Sequence, residues 1–257
     1  MIIEELQNIS PENGILKLSD TDSAFEKAYN KFLKNEGRLY DDQELKVLPF
    51  ASDSNLYKDE WVLKTKSFIR FKDYLSRKKS SLNILDIGSG DGWFASQILR
   101  EQKHNYYCVD VSIKKLEQGA KLFVIENLYF IYANIFDVKF PRSAFDIIII
   151  NSSIHYYSDL RNLMRELFYL LKPYGEIHII DSKFYEEYEV EQERIRKAKY
   201  FDLIGIPFMK EKYFFHTYKS LNIFNHKFLY DPRTFYNKIL NIAFGRDSFY
   251  PWIRIIK

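Results

Sequence analysis

Cysteine is nearly absent from the 257-residue chain, where Cys108 stands alone. A single thiol makes no intramolecular disulfide and no cysteine-rich zinc site, and its place in an apolar run assigns it to core packing. No apolar run approaches the ~18 residues of a membrane-spanning helix. The sequence Met1-Ile2-Ile3-Glu4-Glu5 has acids where a signal peptide needs bases. The expectation is a cytoplasmic protein with no membrane partner. Repeats and low-complexity linkers are missing too. A composition 46% hydrophobic and 28% charged lies outside the regime of disorder. The net charge is only +3 but is unevenly placed: residues 210–257 carry nine Lys/Arg against three Asp/Glu, or +6, leaving −3 for the remainder. Such a segment either attracts an anionic partner or forms a solvated basic face, and the second is the simpler reading. Aromatics reach 18%, but Lys, Asn and Ile are plentiful as well, so a compositional bias explains them without a stacking surface.

What is present is rhythm. From Asn83 onward short apolar runs alternate with longer amphipathic stretches, the pattern of an α/β protein with a parallel sheet. Strands are expected at 83–87, 105–110, 128–133, 147–150 (led by Phe145-Asp146) and 176–181. Helices are expected at 92–101, 113–124 and 160–171, the last stopped by Lys172-Pro173. The run Ile147-Ile148-Ile149-Ile150 suits a central strand covered on both faces. Beyond Ser182 a charged stretch, 185–200, has its acids early and its bases late, as a helix dipole prefers. It marks a helical insertion, 183–216, with a lid over the site or a plain surface excursion as its two readings. A crossover helix at 215–224 and strands at 227–230 and 252–256 complete the pattern. Upstream, 61–75 reads as an amphipathic helix leading into the sheet. Residues 1–60 are assigned to an N-terminal cap and 61–257 to the main domain.

The strongest chemical signal is Ile84-Leu85-Asp86-Ile87-Gly88-Ser89-Gly90-Asp91-Gly92-Trp93, an apolar strand running into three alternate glycines and then a helix. Glycines there permit a tight turn and close approach of a ligand to bare backbone, and a helix start offers free N–H groups. A ligand-free strand-to-helix turn would look similar. The added observation is Asp110, at the end of the next strand and 18 residues after Gly92, where a carboxylate can accept hydrogen bonds from ribose hydroxyls. Together they point to a nucleotide. Trp93 stands where a dinucleotide fingerprint requires its third glycine, which argues against a dehydrogenase, and no Gly-Lys-Ser/Thr follows to make a phosphate loop.

With these residues in view, the chain resembles the class I S-adenosylmethionine-dependent methyltransferases, in their bacterial small-molecule branch with the type 11 methyltransferase domain. Leu85 to Gly92 looks like their first motif and Val109-Asp110-Val111-Ser112 like their ribose-binding acidic motif. Ala133-Asn134-Ile135-Phe136-Asp137-Val138-Lys139-Phe140-Pro141 resembles the adenine loop. Phe145-Asp146 and Asn151-Ser152-Ser153-Ile154-His155-Tyr156 resemble the fourth strand and its exit, and Leu171-Lys172-Pro173-Tyr174-Gly175 the turn into the fifth. The likeness implies a Rossmann-like, seven-stranded, mostly parallel sheet with helices on both faces, the N-terminal cap and the insertion after strand five being additions. It implies S-adenosyl-L-methionine as cofactor, with Asp110 on the ribose, Val111 beside it, Asn134 at the adenine amino group and Ile135 offering its backbone N–H to the ring. Asp86, Gly88, Ser89, Gly90 and Gly92 would form the turn around the methionine moiety, Asp86 by bonding loop N–H groups, with Asn151 at the methionine end. Asn134 departs from the usual aspartate, yet its amide oxygen still accepts a hydrogen bond.

His155, just past strand four, lies on the edge where open α/β sheets place ligands. An ordinary imidazole pKa of about 6.5 suits it to take a proton from an acceptor hydroxyl; orienting the acceptor is the alternative. Tyr156 and Tyr157 read as pocket wall and His178 as a sheet-face residue, while Trp93 either staples its helix to the sheet, the simpler reading, or packs on the cofactor. His104, His216 and His226 have no ligand spacing with an acid pair, so no catalytic metal is expected. The expected partner is a small-molecule acceptor. Nucleic acid ranks lower because Asn151-Ser152-Ser153-Ile154 lacks the Asn/Asp-Pro-Pro-aromatic sequence of adenine amino-group methylation. A non-catalytic nucleotide-binding or scaffold protein is the third reading, since a fold alone does not establish turnover. Oligomeric state is not legible.

Overall fold

The computed structural model describes residues 6, 9–20, 22–138, 140–243 and 247–257. Residues 1–5, read above for targeting, and Lys139 of the adenine-loop motif lie outside them. The described apolar runs pair into one eight-stranded sheet. Its strands are β1 (Ile15–Lys17), β2 (Asn83–Ile87), β3 (Asn105–Asp110), β4 (Leu128–Tyr132), β5 (Phe145–Asn151), β6 (Leu171–Ile180), β7 (His226–Tyr230) and β8 (Trp252–Ile256). They lie in the order β1-β4-β3-β2-β5-β6-β8-β7. Neighbours from β1 to β6 are parallel, and β8 runs antiparallel to both β6 and β7. Seven strands were expected; the eighth is β1, three residues of the N-terminal segment laid along Phe130–Tyr132 of β4. A strand so short has too few alternations to announce itself in sequence.

Alternation explains the layers. Successive side chains of a strand point to opposite faces, so Ile148 and Ile150 join a core with Leu163, Met164 and Leu167 of helix α6 (Leu160–Leu170). Ile147 and Ile149 join a second core with Phe68, Phe71 and Leu75 of helix α3 (Lys58–Ser76). Cys108 belongs to the second core and is fully buried. Each isoleucine removed from water contributes about 1.5 to 3 kcal/mol, which makes the run at 147–150 one of the firmest parts of the sheet. Helix α6 starts where Asp159 accepts from the N–H groups of Arg161 and Asn162, at 2.8 and 3.2 Å.

The flanking elements are helices α1 (Ser23–Asn35), α2 (Asp42–Val47), α4 (Trp93–Leu99), α5 (Ile113–Leu122), α7 (Val190–Leu203) and α8 (Phe235–Ala243). The helix expected at 185–200 begins later, at Val190, after a capping box of Glu186 and Glu189. The helix expected at 215–224 is only a 3-10 stretch, Tyr218–Ile223. Its first residues are held extended instead: Tyr185 donates its N–H to His216 O at 3.0 Å, and Tyr185 and Thr217 form a bridge. Strand β6 starts at Leu171, ahead of the expected 176, because Leu171 already pairs with Phe145. No helix among the described residues is long and apolar enough to cross a membrane.

Helix α1 and the insertion meet over one edge of the sheet. Phe201, Ile206 and Met209 are buried against Phe25, Ala28 and Phe32, and Lys31 Nζ and Asn35 Nδ2 donate to the carbonyls of Gly205 and Ile204, both at 2.8 Å. On the far side α5 comes against the glycine turn through Gly119, where a β-carbon would sit 2.2 Å from Asp91 O and 2.7 Å from Phe130 Cε1. Gly119→Ala must therefore push α5 off the turn. An overpacking cost of about 1 to 3 kcal/mol is expected in urea unfolding, and an unchanged midpoint would show that the helix does not depend on this approach.

Candidate cofactor and acceptor site

Strand order reverses between β2 and β5, so the loops leaving their carboxyl ends diverge and open a crevice. The turn 88–92 forms one wall. Gly88 and Ser89 donate their N–H groups to Val109 O at 2.8 and 3.2 Å, tying the turn to β3. Gly88 and Gly90 have φ of +72° and +61°, the left-handed region that glycine adopts without strain. A β-carbon on Gly88 would meet Ser153 Cβ at 2.6 Å, and Ser153 Oγ donates to Ile87 O at 2.8 Å. The bare backbone is what lets the β2 and β5 exits close up. Gly92 behaves otherwise. It lines neither cavity of the site, and a β-carbon there would lie 2.7 Å from Phe130 Cε1, so its place is the seating of α4 on the sheet.

Asp110 ends β3 with its carboxylate turned back on the turn. Oδ2 accepts from Gly90 N at 2.8 Å and Oδ1 from Ser112 N at 2.7 Å. Burial raises its pKa, opposed by these two N–H groups and by Lys115. Lys115 itself pairs with Asp91 at 3.0 Å. Each Asp110 oxygen keeps a further lone pair beside a cavity of about 270 Å3 that Val111, Asn134 and Ile135 also line. Asn134 is partly spent on its own turn: Oδ1 accepts from Phe136 N at 3.2 Å and Nδ2 donates to Asp137 at 2.7 Å. One lone pair of Oδ1 remains. The Ile135 N–H has no acceptor among the described residues.

A second cavity, of about 300 Å3, shares Tyr29, Gly88, Ser152 and Tyr156 with the first. Asp86, Ser89, Gly90, Asn151 and His155 line it. Asp86 is 1% exposed, and contrary to expectation it accepts no N–H from the turn. Its Oδ2 receives a long bond from Tyr106 Oη, 3.4 Å, and its Oδ1 has no partner among the described residues. Strand geometry holds it below the turn instead of inside it. Burial pushes its carboxyl up to about 7. His155 lies flat against Tyr213, with ring centroids 4.5 Å apart, and tilted against Tyr156 at 4.2 Å. Burial first, then the charge of Lys197, pull its pKa down to about 3. The ordinary value assumed for a base is thus corrected: this imidazole is neutral, and it is a weak proton acceptor.

Trp93 stands edge-on to Trp61 of α3 at 5.2 Å, so it fastens the turn to that helix while reaching the second cavity. His178 is core, accepting from Trp252 Nε1 at 3.0 Å. Sequence reading offered the insertion as a lid but named none of its residues, and it missed α1 and the segment that follows it. Phe25 and Tyr29 cover the first cavity, and Arg38, Glu60, Lys64, Lys197 and Tyr213 line the second. The signal available for α1 was Phe25, Tyr29 and Phe32 at helical spacing.

A methyltransferase domain family matches residues 78–221, more than half of the chain. The chain belongs to this methyltransferase family. Its fold is that of the class I enzymes, whose methyl donor is S-adenosylmethionine, and the family likeness drawn from the motifs is borne out. It is 28% identical over 138 residues to the uncharacterized methyltransferase YcgJ of Bacillus subtilis, across 52% of this chain and 53% of YcgJ. It is also 28% identical over 137 residues to the ubiquinone/menaquinone biosynthesis C-methyltransferase UbiE of Vibrio cholerae, across 46% of this chain and 52% of UbiE. The chain spans about half the length of the curated relatives it matches. Among solved structures, YcgJ superposes with a TM-score of 0.55 at 18% identity, covering 75% of this chain and 98% of that one. The Haemonchus contortus phosphoethanolamine N-methyltransferase 2 complex with S-adenosyl-L-methionine gives 0.52 at 14%, covering 85% and 60%. At such identities the structures establish the fold alone.

The Asp86 environment has a measurable consequence. A carboxyl whose folded pKa lies above its unfolded value of about 4 binds its proton more tightly when folded. Its stabilising contribution is full below that value and is lost as pH rises through about 7. Asp86→Asn keeps the shape without the titration. Urea unfolding should show the variant gaining on the wild type between pH 5 and pH 8, by at most roughly 1.4 kcal/mol per pH unit; a pH-independent difference would remove Asp86 as the titrating group.

Proposed function

We propose that the chain transfers a methyl group from S-adenosyl-L-methionine to a small-molecule acceptor, with the cofactor spanning the two cavities and the acceptor entering beside His155. The observation that carries this reading is the Asp110 carboxylate, fixed by Gly90 and Ser112 N–H groups at the mouth of the first cavity. The residues present suit the group. Asp110 would hold the ribose hydroxyls, Val111 would lie beside them, and Asn134 Oδ1 and the Ile135 N–H would meet the adenine edge. Gly88, Ser89, Gly90 and Asn151 would surround the methionine end, with Asp86 beneath the turn that they form. The bound cofactor supplies an electrophilic methyl on a sulfonium. The chain supplies alignment, which can contribute up to ~7 to 11 kcal/mol. It also excludes water through Tyr29 and Tyr156, which wall both cavities.

His155, neutral and wedged against Tyr213, serves this reading as an orienting residue and not as the base that removes the acceptor's proton. The insertion 183–216 serves as a lid together with α1. The basic C-terminal segment does not favour nucleic acid, because much of its charge is already paired: Lys210 with Asp202, Lys212 with Asp22, Lys219 with Glu187, Arg233 with Asp231 and Arg254 with Glu176.

Calorimetry should detect S-adenosylmethionine or S-adenosylhomocysteine and not NAD, and Asp110→Ala should weaken that binding by about 1.5 to 3 kcal/mol. NAD binding with neither sulfur compound bound, or normal affinity in a folded Asp110→Ala variant, would reject the assignment. Labelled cofactor incubated with small-molecule extracts should yield a labelled product. With that acceptor in hand, His155→Ala should keep cofactor affinity and lower kcat/KM by up to roughly 10²-fold. Both enzymes should share one pH profile, because an imidazole with a pKa of about 3 does not titrate near neutrality; loss of a neutral-pH titration in the variant would restore the base.

A further inference from the structure

Of the cations that line the second cavity, four have carboxylate partners. Arg38 and Lys64 share Glu60, at 2.7 and 3.1 Å. Lys115 pairs with Asp91 at 3.0 Å and Lys183 with Glu193 at 3.6 Å. Lys197, on α7, is the exception among the described residues. No carboxylate contacts its ammonium, and none of its three N–H donors has an acceptor. It stands instead among aromatic rings, 4.9 Å from the centroid of Tyr200, 5.0 Å from Tyr213, 5.2 Å from Phe201 and 5.9 Å from Phe32. Ring faces attract a cation but accept no conventional hydrogen bond, so they replace only part of the water that burial removes. The pKa of Lys197 is lowered, first by burial and also by the charges of Arg196 and Arg38, and the more distant carboxylates of Glu36 and Glu193 only partly oppose this.

We propose that Lys197 is the anchor for an oxyanion on the methyl acceptor, so that the substrate is an anionic small molecule carrying a carboxylate or phosphate group. This rests on the reading of the second cavity as the acceptor site. Tyr213 links the two ends of that site, since one face of its ring lies against His155 and the ring also faces Lys197. An oxyanion on the lysine is therefore about one aromatic ring away from the imidazole, within the span of a small molecule. A cationic acceptor fits badly. The rings that could hold an ammonium already face that of Lys197, and the incoming charge would be repelled by it. An oxyanion, in contrast, accepts from the N–H donors of Lys197, for which the described residues supply no acceptor.

The test uses the full chain saturated with S-adenosylhomocysteine. Inorganic phosphate is followed by line broadening in phosphorus NMR, and acetate by saturation-transfer difference NMR. The wild type should bind at least one of them. Lys197→Met, which fills the same space among the rings, should weaken that binding by roughly 10- to 100-fold while leaving S-adenosylhomocysteine affinity unchanged. Lys197→Arg should retain the anion. Lys121→Met, which removes an exposed charge outside the cavity, should match the wild type. Phosphate alone would point to a phosphoester acceptor, and acetate alone to a carboxylic acid. The proposal is overturned if the cofactor-loaded wild type binds neither anion, or if Lys197→Met binds them as tightly as wild type. Failure of the wild type to take up S-adenosylhomocysteine is a separate result: it would remove the cofactor reading and the inference with it.

Discussion

The two N–H bonds accepted by Asp110 are the constraint on which the site is built. They join the glycine turn after β2 to the start of α5 after β3 through a single carboxylate. Because Gly88 and Ser89 also donate to Val109 O, the turn is held to the end of β3 from both its backbone and this side chain. A carboxylate buried there without partners would lose more to desolvation than it could recover. Two N–H donors and the Lys115–Asp91 pair nearby keep it in place. The same carboxylate has acceptor capacity left over on the open side. The lone pairs that hold the turn are thus not the ones that face the cavity.

Above this floor the site is closed by parts of the chain that do not belong to the sheet's core. Helix α1 brings Phe25 and Tyr29, α7 and its following segment bring Lys197 and Tyr213, and the exit of β5 brings His155 and Tyr156. The aromatic contacts among Phe25, Tyr29, Tyr156 and Tyr213 make one continuous wall. Two of its polar members are set by burial: Asp86, whose carboxyl is pushed up to about 7, and His155, held neutral by burial and then by a neighbouring cation. The electrostatic character of the cavity comes from these placements and not from net charge.

How much of this could be read in the sequence depended on range. The run Ile147 to Ile150 and the glycine turn carry their meaning within a few residues, through strand alternation and the steric freedom of glycine, so the central strands and the turn beside the crevice were legible. Strand β1 was not, being three residues that become a strand only by lying along β4. Gly92 looked equivalent to Gly88 and Gly90, yet its neighbour is Phe130, contributed by β4. Asp86 appeared to be a turn organiser because burial and the lack of an N–H within reach are properties of the folded sheet. The His155 pKa depends on burial first and then on Lys197, an element away, and no local pattern announces either. The 3-10 stretch at Tyr218–Ile223 likewise reflects competition from the Tyr185–Thr217 bridge.

The clasp between α1 and the insertion spans a long stretch of chain: Lys31 bonds the carbonyl of Gly205, 174 residues further on, and Asn35 that of Ile204, 169 residues further on. Contacts so distant in sequence form late, because a large loop must close before they return any energy. On a ribosome, strands β2 to β6 are all made before the far half of the clasp exists. Helix α1 waits through that interval with Phe25, Ala28 and Phe32 lacking Phe201, Ile206 and Met209. The floor of the crevice is therefore laid down before its cover, and enclosure waits on a segment made after the parallel strands.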